Sequence, residues 1–76
     1  MQNSRIMLLQ PLADAIVLQA ATDYRKALAG EGYGYKSPEY VIGECERFFR
    51  SNYFCMLTKI PGEYLIEELR KEVQGK

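Results

Sequence analysis

Neither histidine nor tryptophan occurs anywhere in the 76 residues of this chain, and cysteine occurs only twice. Without histidine the chain has no side chain of the kind that most often serves as a general base near neutral pH, or that most often ligates a transition metal. Two cysteines without a histidine cannot complete the four-ligand shell of a structural zinc site within one chain. No metal or cofactor site is therefore expected, and no catalytic residue.

An excess of one charge is also missing. Ten basic residues balance ten acidic ones, and the balance holds locally, at +1 over residues 1–36, 0 over 37–60 and −1 over 61–76. No segment has the basic surplus that draws a protein to phosphate backbones or anionic lipid. Long apolar runs are absent too. The opening "MQNSRIMLLQPLADAIVLQAA" places Arg5 ahead of apolar residues as an export signal would, but Gln10, Pro11 and Asp14 interrupt it and no run exceeds four residues. The expectation is a chain that is neither exported nor membrane-spanning. It is then cytoplasmic, with Cys45 and Cys55 as reduced thiols.

What the chain does have is 47% hydrophobic and 26% charged residues, the balance of one globular domain. A chain near this size hides only about 60% of the surface its unfolded form exposes, so its stability is slender and further burial is an advantage. Self-association, for example as a homodimer, or binding to another protein is the partner expectation.

The apolar period is helical. From Leu12, apolar residues recur at Ile16, Val17, Ala20, Tyr24, Ala27 and Leu28, one stripe at 3.6 residues per turn, with Pro11 suited to a first turn and Gly30 to a stop. This predicts a helix over about 11–29. Residues 1–10 stand apart as a less ordered or interface-forming segment, unless the helix begins earlier and bends at Pro11. "GEGYGYKS" at 30–37 is a loop, since three glycines in five positions cost a helix about 1 kcal/mol each. Ser37-Pro38-Glu39 supplies a hydroxyl cap, a proline for the first helical position and an acid for the positive end of the dipole. Val41, Ile42, Cys45, Phe48 and Phe49 continue that helix to about 50.

At Ser51-Asn52 the apolar phase shifts, which predicts a break and a short helix over about 52–58. The break lets Phe48, Phe49 and Phe54, the only three phenylalanines, turn into one core, with Tyr53 left at the surface. After Pro61-Gly62 a last helix over about 62–74 faces Leu65, Ile66, Leu69 and Val73 inward. No stretch alternates with a period of two. The fold class is all-α, a compact bundle of three main helices plus a short one.

Several features tempt a functional reading. Cys45 on the apolar stripe and Cys55 amid aromatics read as buried, inert thiols. Glu44, Glu46, Glu63, Glu67, Glu68 and Glu72 fall off the apolar stripes and read as solvated faces, without the Glu-x-x-His pattern of a di-metal bundle. "GEGYG" lacks the Gly-Lys-Ser/Thr of a phosphate loop and follows a helix where that motif needs a strand. Its Tyr33 and Tyr35, beside Lys36, either stack on a partner or fold back over the helix ends. A helix-turn-helix DNA reader needs three short helices, which this chain has. Its last helix, however, would present Glu63, Glu67 and Glu68 to phosphates, leaving Arg47, Arg50 and Lys59 as the only nucleic-acid contacts.

"DYRKAL" at 23–28, "ECERFFRS" at 44–51 and "LTKIPGEYLIEELRKEV" at 57–73 resemble a set of short proteins encoded by prophages and integrative elements of Gram-positive bacteria. The shared positions are mostly core and cap residues, so the resemblance implies a helical fold and no activity. Pro61 departs from it, standing where an acidic cap is expected.

The reading is a non-enzymatic interaction or accessory protein, with a small DNA-binding regulator as the alternative. Apolar residues off the main stripes, Met7, Leu8, Leu9 and Leu18, together with Tyr33, Tyr35 and Tyr53, are the candidate protein interface.

Overall fold

The computed structural model describes residues 4–32 and 34–75, and of residues 4–12 the backbone alone. Four helices follow one another: α1 (Ser4–Leu28), α2 (Pro38–Phe49), α3 (Asn52–Leu57) and α4 (Gly62–Gln74), with no strand among the described residues. This is the all-α bundle of three main helices and a short one that the sequence implies. The boundaries agree within one residue except at the start of α1.

There the helix begins at Ser4 and runs through Pro11, where the sequence had suggested a start at Pro11. Proline cannot donate to the carbonyl four residues back, yet the stretch 6–9 shortly before it has no glycine and no polar residue to favour a turn, so the helix continues at the expense of one bond. At its other end Gly30, with φ of 95°, takes the left-handed conformation that closes a helix. Its amide bonds to the carbonyl of Ala27 at 2.9 Å and that of Glu31 to Lys26 at 2.9 Å, the paired bonds of a Schellman stop.

Serine hydroxyls set the middle of the chain. Ser37 Oγ accepts from the Tyr40 amide at 3.2 Å and opens α2. Ser51 Oγ accepts from the Phe54 amide at 3.2 Å while donating to the Phe48 carbonyl at 2.7 Å, so one side chain ends α2 and starts α3. The start of α4 has no side-chain cap. Pro61 occupies the cap position because the helix begins hard against the end of α2: a Cβ at Gly62 would lie 2.0 Å from the Phe49 carbonyl oxygen.

The core collects Ala21, Tyr24 and Ala27 from α1, Val41, Cys45 and Phe49 from α2, Phe54 from α3, and Ile66 and Leu69 from α4. The small residues of α1 let the rings of α2 and α3 approach. Phe49 meets Tyr24 and Phe54 edge-on, both with centroids 5.5 Å apart, and Phe48 meets Phe54 at 5.6 Å in the same manner. Edge-to-face contacts of this kind add about 0.5–1.5 kcal/mol each beyond area burial. Tyr53 stays at the surface, as expected, 6.1 Å from the Phe48 ring.

Candidate interaction surface

Two features of the bundle have enough chemistry to be a site: a polar cluster joining three helices, and an apolar face along α1. The polar cluster centres on Glu46. Its Oε2 accepts from the Tyr24 hydroxyl of α1 at 2.7 Å and from Arg70 Nη2 of α4 at 2.5 Å, while Oε1 lies 3.6 Å from Arg50 Nη1. Arg50 also grips Glu63 at the start of α4.

Burial alone would raise the Glu46 pKa, but the Tyr24 hydroxyl and the two guanidinium groups outweigh it and hold the carboxyl below its ordinary value. Tyr24 moves the other way. Burial, and then the hydrogen bond to Glu46, push its hydroxyl up to about 12. With Glu46 and Glu63 both paired to guanidinium groups, the cluster ties three helices together. Glu46 was read from sequence as solvated; only 16% of its side chain is exposed. A signal for this existed, since Ile42 and Phe49 stand four residues before and three after it on α2.

The thiols divide. Cys45 is buried, its Sγ 3.8 Å from the Ala20 carbonyl, and burial followed by the nearby Asp23, Glu44 and Glu46 carboxylates pushes its pKa up to about 11. It is the buried thiol expected. Cys55 is exposed, against expectation. In the six-residue α3 only one turn can face inward, and Phe54 fills it, leaving Tyr53, Cys55 and Met56 outside.

The apolar face follows α1. On one flank Ala15, Ile16, Gln19, Ala20 and Asp23 line a shallow groove with Phe48 of α2 as its far wall. Its polar atoms are concentrated at one end, where Gln19 Nε2 donates to Asp23 Oδ1 at 3.0 Å. On the other flank Val17 and Leu18 line a second groove with Ile60 and Leu65. Leu18 is 61% exposed there and Ile60 44%.

Of the other candidate interface residues, Tyr35 is fully exposed and so does not fold back over a helix end. Tyr33 lies outside the described residues. Met7, Leu8 and Leu9 fall within α1, and their side chains are outside the described set. Sequence reasoning passed over Ile16 and Phe48 as surface residues because both sit on core stripes, and Ile60 because it falls in the link between α3 and α4.

The candidate nucleic-acid residues have different surroundings. Arg50 is held between Glu46 and Glu63. Lys59 lines a depression with Asp14, Cys55 and Met56, and Arg47 is exposed on α2. Among the described residues no helix is long and apolar enough to cross a membrane, and no three potential metal ligands gather. Comparison with protein-family models, with curated proteins and with solved structures returns no match for this chain.

Proposed function

We propose that this chain is a small non-enzymatic interaction protein, acting by contact with another polypeptide along α1. The α1–α2 groove carries the reading. Phe48 belongs to the aromatic cluster yet is only half-buried, and with Ala15, Ile16 and Ala20 it extends the core into an apolar strip that ends in water. Covering such a strip gains the free energy of apolar burial without breaking any described hydrogen bond of the bundle.

A nucleic-acid role has less support, since Arg50 already shares its charge between two carboxylates. The test is crosslinking in the native cell, comparing the wild-type chain with Ile16→Glu after circular dichroism shows the two equally folded. The wild type should give crosslinked adducts that Ile16→Glu loses. An identical adduct pattern from both would overturn the reading.

A further inference from the structure

Beyond that reading, we propose that α4 is a strap, latched over α1 and α2 by three arginine–carboxylate pairs, that swings away on the α3–α4 link ahead of the rest of the fold as ionic strength rises.

The aromatic cluster divides the molecule. Among the described residues every ring contact lies within α1, α2 and α3, joining Tyr24, Phe48, Phe49, Tyr53 and Phe54. The Tyr24 hydroxyl also donates to Glu46, and Cys45 Sγ meets the Ala20 carbonyl, both between α1 and α2. From α4 only Ile66 and Leu69 are buried, with Leu65 packed beside them. Its one ring, Tyr64, is exposed.

The polar ties of α4 are of a different kind. Each one described between α4 and the rest of the chain joins an arginine to a carboxylate. Arg50 grips Glu63 in the first turn, and Arg70 meets Glu46 Oε2 at 2.5 Å. Arg25 Nε lies 3.0 Å from Glu72 Oε2 in the last turn, close enough for an ion pair though not aligned for a hydrogen bond. In these pairs every arginine side chain is at least 38% exposed. The helix itself carries four glutamates against Arg70 and Lys71, a net charge of −2, so the rest of the neutral chain carries +2.

Salt acts on the two halves unequally. It shortens the reach of attraction between exposed charges from about 10 Å at 0.1 M to about 3 Å at 1 M, while the buried rings have no charge to screen. No side-chain cap at the start of α4 has to break for the helix to leave. Leaving uncovers Val17 and Ala21, which share a groove with Leu65 and adjoin the exposed Leu18. The strap thus holds a second apolar strip of α1 in reserve.

The test is amide hydrogen exchange of the full chain, followed by NMR in about 0.05 M and about 1 M sodium chloride. In low salt the Leu69 and Arg70 amides of α4 should be at least about tenfold less protected than those of Tyr24 and Phe49, and high salt should widen that ratio several-fold. Glu63→Gln combined with Glu72→Gln leaves Glu46 and the core intact. That variant should lower α4 protection about tenfold in low salt and remove most of its response to salt, with Tyr24 and Phe49 unchanged. Equal protection at all four amides, α4 protection indifferent to salt, or a loss shared equally by α1 and α2 overturns the proposal. So does a folded double variant whose α4 is protected as in the wild type. If the variant does not fold, the wild-type salt series decides alone.

Discussion

Glu46 gathers a phenol and two guanidinium groups around one carboxylate, each from a different part of the chain. Hydrogen bonds to a charged partner are worth about 1.5–3 kcal/mol where partly shielded from water. Glu46→Gln keeps the shape but removes the charge, and should cost about 2 kcal/mol in urea unfolding. Tyr24→Phe leaves the arginine pairs intact and should cost about half as much. Equal losses would mean that the phenol and not the charge holds the cluster. At this scale the sequence is legible where a side chain has one job: Phe49, Phe54 and Cys45 are apolar on an apolar stripe, and all three are buried. Glu46 was misread because an acid beside a stripe looks the same whether it faces water or an arginine two helices away. Arg70, with Ile66 and Val73 flanking it on α4, is the counterpart that would have completed the argument.

The helices were legible where their ends are marked by local chemistry. Ser37-Pro38 and Ser51 fix the starts of α2 and α3 through bonds made within three residues, which any reading of the chain can anticipate. The start of α1 is a different case, since Pro11, the mark from which it was read, lies seven residues inside the helix that begins at Ser4. α4 differs again. Its start was read correctly at Gly62, but the reason lies in a contact thirteen residues away, the Phe49 carbonyl oxygen that a Cβ at 62 would meet at 2.0 Å. Gly62→Ala improves helix propensity by about 1 kcal/mol and would stabilise an open helix. Here it should destabilise by about 2–3 kcal/mol as α4 is pushed from α2. Thermal melting decides between the two signs.

Across the whole molecule, ionisation limits the folded state from both sides. Arg50 lowers the Glu63 carboxyl, and the cluster around Glu46 lowers that one as well. A lowered carboxyl contributes stability above its unfolded pKa, so this part is present above about pH 4.5 and is lost as pH falls through the lowered values. Cys45 and Tyr24 are raised, from 9.0 to about 11 and from 10.0 to about 12. A raised acid contributes below its unfolded pKa, so stability should hold to about pH 9 and decline from there towards 12. The unfolding midpoint in urea should therefore be level between about pH 5 and 9 and fall on either side. Glu46→Gln should flatten the acid limb, and an unchanged limb would remove Glu46 from the account. The all-α class was legible at this scale because a helical period needs no partner to be recognised. The polar cluster and the grooves were not, since they depend on which helix faces which.

The cluster also makes the chain report on itself. With no tryptophan among its residues, its near-ultraviolet emission comes from tyrosine alone. A phenol whose proton is held by a carboxylate loses that proton easily once excited, and its emission is quenched. Tyr24, wholly enclosed and bonded to Glu46, should therefore emit weakly for as long as α1 lies on α2. Any event that draws the two helices apart, whether unfolding or a partner prying at the groove beside them, should register as brightening of a single ring, without a dye or a label.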